Sequence, residues 1–289
     1  MKYLAFYKWK QMENEIVHGL WIGKSLSSVE LLCIHSYIAQ GYEFHLWLYN
    51  YLDTQVPSEV ILEDASAIIP FADVFLYEKI NQFGHGKGSY AGFSDIFRYK
   101  LLYEKGGWWT DMDVVCLKPM NFSDEYVFRT HHDYLVVGNV MKCPKGSPLM
   151  LDCYNEALLL INKNNTDWNL PIAILNKNIK KHNLQLFIKE ISNPDRWLFV
   201  RTLLFYNVSQ KENWYVIHLM NEEWRKNNIN KDAIPAWSLI GKLLVCYNLN
   251  INSGNWLLIK NLINIIIPKY NIYYTYKPII RFFKRFFNK

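Results

Sequence analysis

An α/β fold is predicted by three observations on the first part of the chain. An apolar run at 16–22 is typical of a strand, a helical segment opens at Ser27, and residues 44–49 alternate as a second strand. Strand, helix and strand in succession are the opening of an α/β sheet.

Each of these elements has a recognisable boundary. The first strand ends at Gly23. Ser27 and Glu30 have the spacing of a capping box, and Gly41 follows Gln40 as a stop signal, so the sequence predicts a helix between them. The strand at 44–49 then begins within a few residues, a connection length typical of α/β units.

A second helix and a further strand follow in the segment 90–117. The helical pattern runs from Tyr90 to Lys105 and stops at Gly106 and Gly107. Asp111 and Asp113 then precede the apolar residues 114–117. We expect this stretch to be extended, in which case the two-residue side-chain period aims both carboxylates the same way.

Composition limits the class of protein. The chain has 289 residues, of which 51% are hydrophobic, so it can bury the core of one large or two small domains and is neither a disordered tail nor a fibre. Its aromatic content of 16% suits either a thick core or a surface that stacks on flat ligands. Five cysteines without a C-x-x-C pair, and an N-terminus without a signal-peptide pattern, predict a cytosolic protein with reduced thiols.

The net charge of +6 is concentrated at one end of the chain. Residues 233–289 contain eight Lys and Arg and no acidic residue, which leaves the body at 1–232 nearly neutral. A nucleic-acid binder would show a basic face across its folded domain, and no nucleic-acid-binding motif occurs here. We therefore expect no nucleic-acid partner.

The last residues form the pattern of a basic amphipathic helix. At a helical period after Pro278, apolar and basic side chains occupy opposite arcs: Ile279, Ile280, Phe282, Phe283, Phe286 and Phe287 against Arg281, Lys284, Arg285, Asn288 and Lys289. Such a helix is suited to the surface of an anionic membrane, and the alternative is a terminal helix docked on its own domain. No run is long and apolar enough for a spanning helix.

Acidic and basic side chains converge around the second helix. Asp95 and Arg98 are three residues apart and share a helix face, where they can hold sugar hydroxyls between them. Asp111 and Asp113 form a D-x-D pair whose mutual repulsion a divalent cation with oxygen ligands would relieve. An isolated D-x-D also occurs in solvated turns and helix caps, so its setting decides between these interpretations.

That setting resembles a known family. Residues 94–119 contain S-D-x-x-R-Y and then G-G-W-W-x-D-x-D-V-V-C-L-K-P. This run resembles the D-x-D glycosyltransferases, which include capsule and lipopolysaccharide sugar transferases, initiating mannosyltransferases and α-1,4-glycosyltransferases, and more distantly the glucosylating domains of clostridial toxins. The resemblance, over roughly residues 15–225, implies a GT-A fold, a nucleotide-sugar donor, Mn²⁺ or Mg²⁺, and retention of the anomeric configuration.

The resemblance also implies roles for individual residues. Asp95 and Arg98 match the pair that binds the donor sugar, and Asp111 matches the carboxylate that contacts sugar or ribose and reaches the metal through water. Asp113 matches the direct metal ligand, and these four form the expected catalytic set. His218 matches a ligand of the metal or diphosphate. Further residues are expected to bind the donor, with Trp21 packed on the nucleotide base: Trp21, Ile22, Gly23, Ser94, Trp109 and Trp224.

Three segments depart from the family or invite another interpretation. Leu170–Pro171 stands where the family often has a Gly-Pro turn, and Trp108–Trp109 replaces the commoner apolar-aromatic pair. His131, His132 and Asp133 suggest a metal cluster, but adjacent histidines on a strand would point to opposite faces, so we place them in an acceptor-cleft loop.

The sequence therefore predicts a glycosyltransferase that moves a sugar from a UDP-sugar to a saccharide acceptor. We expect a catalytic domain at 1–235 and a helical, basic, membrane-associating region at 236–289. The basic end suggests a lipid-linked acceptor of O-antigen or capsule type at the inner face of the bacterial cytoplasmic membrane. The competing interpretation is a non-catalytic carbohydrate-binding protein or a membrane-surface scaffold.

Overall fold

The computed structural model describes residues 15–249 and 255–266, and its strands are mostly short. The strands of the described residues are β1 (Ile16–Trp21), β2 (Glu43–Leu48), β3 (Ile61–Asp64), β4 (Gly107–Thr110), β5 (Val114–Cys116), β6 (Val127–Thr130), β7 (Val136–Cys143), β8 (Ile188–Lys189) and β9 (Val216–His218). Their α-helices are α1 (Ser28–Ala39), α2 (Ala91–Lys105), α3 (Pro148–Leu160), α4 (Leu170–Lys181), α5 (Trp197–Phe205), α6 (Asn221–Lys226), α7 (Leu239–Cys246) and α8 (Asn255–Ile266).

Seven strands form one mixed sheet in the order β3-β2-β1-β4-β7-β6-β8. The four strands from β3 to β4 are parallel, whereas β7 is antiparallel to both β4 and β6. Carboxyl ends of parallel strands meet at one edge of a sheet, the usual place for a ligand in α/β proteins. The predicted α/β fold, a mostly parallel sheet flanked by helices, is confirmed.

The elements predicted from local signals form where they were expected. At the start of α1, the Ser27 hydroxyl accepts from the Val29 N–H, and the Glu30 carboxylate accepts from the Ser27 N–H at 2.8 Å. This capping box satisfies backbone donors that the first turn of a helix leaves free. α2 begins and ends within one residue of its predicted bounds and stops at Gly106, whose φ of 72° favours glycine.

Most aromatic side chains of the described residues lie in the core or pack against it, and this core covers both faces of the sheet. Trp108 and Trp109 are neighbours on β4, yet each is buried in a different apolar cluster because strand side chains alternate between faces. Trp109 packs under α2 and α3, and Trp108 packs with α1 residues. Trp108 and Trp109 therefore belong to the core and not to a surface that stacks on flat ligands.

A second, two-stranded sheet lies beside the main one. β5 and β9 pair antiparallel, with Val114 opposite His218. This pairing joins the segment after the D-x-D pair to a strand about a hundred residues later in the chain, and so determines which side chains meet at the site.

The C-terminal helices extend the same body. Leu239, Ile240 and Leu244 of α7 belong to one apolar cluster with Val115 and Ile217 of the small sheet. The division at residue 235 stays a prediction. The basic pattern after Pro278 lies outside the described residues, and among the helices that the structure describes, none has the length and apolarity needed to cross a bilayer.

Candidate active site

The D-x-D pair lies in a tight turn at the carboxyl end of β4. The Asp111 N–H donates to Asn139 O on β7 at 2.8 Å, and the Val114 N–H donates back to Asp111 O at 3.1 Å. The expectation of an extended segment with parallel carboxylates is therefore wrong. The chain leaves the large sheet here and enters the small one within three residues, which requires a reversal, and the two carboxylates acquire different partners.

Asp111 faces the helix α2. Its Oδ1 accepts from Trp109 Nε1 at 2.7 Å and lies 3.7 Å from Arg98 Nη1. Arg98 is buried and also forms an ion pair with Asp95, the i,i+3 pair expected from the sequence. The Asp111 side chain is 32% exposed, which leaves it accessible to a ligand. Burial and the neighbouring Asp113 raise the pKa of Asp111, although Arg98 opposes the shift.

Asp95 is the more enclosed carboxyl of this group. Burial raises the pKa of Asp95 to about 6, with Arg98 opposing the shift and Asp111 adding to it. Three polar groups, Asp95, Arg98 and Asp111, thus form one hydrogen-bonding surface at the sheet edge. Such a surface can both donate to and accept from sugar hydroxyls.

Asp113 faces the small sheet instead. Its Oδ2 lies 3.4 Å from His218 Nε2 and accepts from the Asn221 N–H at 2.7 Å. The side chain is only 8% exposed. Burial alone would raise the pKa of Asp113, but His218 and the Asn221 N–H outweigh it and hold that pKa below its usual range. The structure therefore brings Asp113 and His218 together through the β5–β9 pairing.

Two further charged residues, which the sequence analysis missed, stand behind His218. His218 Nδ1 lies 2.8 Å from Asp195 Oδ1, and the Asp195 carboxylate accepts two hydrogen bonds from Arg129, each of 2.6 Å. Burial disfavours a charged His218, but Asp195 and Asp113 outweigh it and raise the pKa of His218 to about 10. One signal for this group was present: Arg129 is a charged residue within an apolar strand, and such a residue requires a buried counter-ion.

The remaining predicted donor residues divide into two groups. Trp21, Ile22, Gly23 and Ser94 are half-buried and lie at the ends of β1 and the start of α2, on the edge where β4 also ends. The Trp21 ring lies 5.9 Å from Lys231 Nζ, so a positive charge accompanies the ring expected to pack on the base. The structure leaves these four accessible to a donor.

Trp109 and Trp224 do not offer a ring face to a donor, which corrects the prediction for both. Trp224 is 1% exposed, and its Nε1 donates to Leu219 O at 2.6 Å, so it anchors α6 next to His218. Trp109 is equally buried and contributes its N–H to Asp111. Both indoles are large apolar groups that are buried in the core, and only the N–H of Trp109 reaches the site.

His131, His132 and Asp133 lie in a bend between β6 and β7, in agreement with the expected loop and not with a strand. The two imidazole rings stack with centroids 4.2 Å apart. One ligand atom from each of the three residues lies within 4.8 Å of the others, a spacing that a metal could use. However, His131 Nδ1 already accepts the N–H groups of Asp133 and Tyr134, at 3.0 and 3.3 Å, and Nε2 then carries the proton. We assign these contacts to the turn and not to a metal.

The donor groups of the D-x-D turn have the chemistry that a divalent cation requires. Asp113 supplies a carboxylate and His218 an imidazole nitrogen, and Asp111 supplies a second, more exposed carboxylate across the turn. Oxygen ligands with one imidazole suit Mn²⁺, and oxygen ligands also suit Mg²⁺. The donor set is therefore appropriate for the ion that the family resemblance implies.

Comparison with known proteins agrees with the site. Residues 38–131 match the family described as the glycosyltransferase sugar-binding region containing a DXD motif, and this range includes Asp95, Arg98, Asp111 and Asp113. No curated protein matches the chain.

Two solved structures are similar in part. The PaToxG glycosyltransferase is 16% identical, over 60% of this chain and 74% of that one, with a TM-score of 0.42. A transferase mutant is 10% identical, over 58% of this chain and 85% of that one, with a TM-score of 0.38. The DXD motif of this chain thus lies inside the matched region and at the edge of the sheet, so residues 38–131 are similar to the sugar-binding region of DXD-containing glycosyltransferases.

Proposed function

We propose that this glycosyltransferase moves a sugar from a UDP-sugar to a saccharide hydroxyl in a reaction that depends on Mn²⁺ or Mg²⁺. One observation supports this above the others. Asp113 and His218 come from distant parts of the chain and lie 3.4 Å apart beside Asp111, at the sheet edge where α/β proteins bind nucleotides.

One set of residues at the site would bind the donor nucleotide-sugar, and another would bind the cation that accompanies its diphosphate. Arg98 and Asp95 hold hydroxyls of the donor sugar, and Trp21 packs against the base at the end of β1. Asp113 and His218 would hold the cation, with Asp111 near it. A bound cation would offset the negative charge that develops on the departing diphosphate.

The expected stereochemistry is retention, and its support is the family resemblance. In a retaining reaction of this kind, the departing phosphate oxygen accepts the proton of the acceptor hydroxyl on the same face of the sugar. The proposal therefore needs no side-chain base from this chain. NMR of the anomeric proton in the first product distinguishes retention from inversion.

The acceptor is proposed to be lipid-linked, as for an O-antigen or capsule unit, with the enzyme at the inner face of the bacterial membrane. The support is the basic and apolar pattern at 279–289, where each basic residue contributes about 1 kcal/mol on anionic lipid. Deleting residues 277–289 should abolish co-sedimentation with anionic liposomes. Unchanged binding of the shortened protein would refute membrane association through this segment.

The activity is tested with a panel of nucleotide sugars. We expect Mn²⁺-dependent hydrolysis or transfer with at least one UDP-sugar, loss of that activity with EDTA, and recovery when Mn²⁺ is added back. Asp113→Asn should abolish turnover, whereas Asp152→Asn, a change in a surface ion pair with Lys181, should not alter it. Activity that survives EDTA and Asp113→Asn would contradict the proposal.

A further inference from the structure

A buried guanidinium lies behind the proposed metal site with every hydrogen bond made. Arg129 has five N–H groups, and each has an acceptor: Nε donates to Ser192 Oγ at 2.6 Å, Nη1 to Asn139 Oδ1 at 3.2 Å and to Asp195, and Nη2 to Asn193 O at 3.0 Å and to Asp195. A side chain bonded in this way is fixed in position. Arg129 can therefore serve as a rigid support for Asp195.

Asp195 connects the fixed Arg129 side chain to His218. The carboxylate is 7% exposed, and its Oδ1 is shared between Arg129 Nη2 and His218 Nδ1. Asp195 accepts and cannot donate when ionised, so the proton of this hydrogen bond is on Nδ1 of the imidazole. The lone pair of a neutral His218 is then on Nε2, the nitrogen that faces Asp113.

The main chain of His218 is held by the same segment. Asn193 Oδ1 accepts from the His218 N–H at 2.7 Å, and Asn193 Nδ2 donates to the His218 carbonyl at 3.1 Å. Residues 192–195 thus fix both the backbone and the ring of His218. If Asp195 served only as the counter-ion of Arg129, it would not need a hydrogen bond to His218.

We propose that Asp195, held by Arg129, is a positioning residue that orients His218 and selects the tautomer with Nε2 free to bind the cation. The inference rests on the proposed metal-dependent function. A metal-binding histidine whose second nitrogen donates to a carboxylate is a more basic and better oriented ligand, and loss of such a carboxylate lowers metal affinity by about 10- to 100-fold.

Mn²⁺ binding in the absence of substrate tests the proposal without using activity. The free Mn²⁺ signal in electron paramagnetic resonance gives the dissociation constant. We expect Asp195→Asn to weaken binding by about 10- to 100-fold. The matched control is Asp152→Asn, because Asp152 also pairs with a histidine, His182, at 2.7 Å but on the surface of α3 and α4. This control should bind Mn²⁺ as the wild type does.

A double variant separates positioning from a structural role. If Asp195 acts through His218, Asp195→Asn should cause no further loss of Mn²⁺ affinity in a His218→Gln background. Equal losses in both backgrounds, or an unchanged affinity in the single variant, would overturn the proposal. A wild type that binds no Mn²⁺ would instead refute the metal-dependent function itself.

A spectroscopic measurement needs no Asp195 variant and so remains decisive if that variant fails to fold. In ¹⁵N-histidine-labelled wild-type protein with Mg²⁺, the imidazole signal absent from His218→Gln belongs to His218. We expect it to show a proton on Nδ1. A neutral ring protonated on Nε2 would contradict the assignment of Asp195, whether or not the enzyme turns over.

Discussion

Asp111 and Asp113 are separated by one residue, yet they belong to two different regions of the site. Asp111 is one-third exposed and faces Arg98 and the Trp109 N–H on the α2 side, whereas Asp113 is 8% exposed and faces His218 and the N-terminus of α6. The turn at the end of β4 separates them. Two carboxylates of one motif can therefore face different neighbours, Asp111 the buried Arg98 of α2 and Asp113 the histidine of β9.

The largest effect should distinguish the two carboxylates directly. Asp113→Asn should abolish measurable turnover, a fall in kcat of at least about 10³-fold, and should abolish Mn²⁺ binding, because it removes the enclosed carboxylate opposite His218 that we propose as a ligand. Asp111→Asn should lower kcat/KM by about 10²-fold and leave most of the Mn²⁺ affinity. Steady-state kinetics and Mn²⁺ titration measure both. Equal losses of Mn²⁺ affinity would show that the turn does not divide the roles.

The second effect concerns stability on the Asp111 side. Arg98→Ala should lower the free energy of unfolding by about 3–5 kcal/mol, since Asp95 would lose its buried counter-ion. Urea denaturation measures this loss. The control is Arg225→Ala, whose ion pair with Glu222 is exposed and should contribute about 0–1 kcal/mol. Similar losses of unfolding free energy for the two variants would mean that Arg98 does not stabilise this region as a buried counter-ion.

A smaller effect isolates one hydrogen bond to Asp111. Trp109→Phe keeps an aromatic ring in the core and removes the N–H that donates to Asp111 Oδ1 at 2.7 Å. We expect kcat/KM to fall about 5-fold, equivalent to about 1 kcal/mol, with Mn²⁺ affinity unchanged. A loss of Mn²⁺ affinity instead would place Trp109 with the Asp113 side.

The smallest effects are expected from substitutions of two glycines, one of which packs against Arg98 and the other against Met112. A Cβ at Gly138 would lie 2.7 Å from Arg98 Nη1, and one at Gly19 would lie 2.7 Å from Met112 Sδ, between the carboxylates. Gly138→Ala should raise the donor KM, because buried Arg98 has to shift. Gly19→Ala should cost about 1 kcal/mol of stability or less, because methionine is flexible. Kinetics measures the first effect and thermal unfolding the second. An unchanged donor KM in Gly138→Ala together with a large loss of stability in Gly19→Ala would show that Met112, not Arg98, is the rigid neighbour.

Local signals were sufficient for the elements and for one side of the site. The capping box at Ser27 predicted the start of α1, and the spacing of Asp95 and Arg98 predicted their ion pair, because both interactions span only three residues. The turn at Asp111–Asp113 was not predicted, since it results from the transfer of the chain between two sheets.

Sequence spacing could not reveal the support behind His218. Arg129 and Asp195 are 66 residues apart, and Asp195 reaches His218 across a further 23. These contacts depend on the pairing of β6 with β8 and of β5 with β9. The same packing buries Trp224, which the family resemblance had indicated as a donor contact.

The sequence by itself determined the α/β class, the D-x-D motif and its similarity to the sugar-binding region of glycosyltransferases, because periodicity, capping and a D-x-D pair are local properties of the chain. Only the tertiary structure decided that the two aspartates face different partners and that Arg129, Asp195 and His218 form a connected support. Strand pairing between distant segments brings these charges together, and burial then makes their hydrogen bonds obligatory.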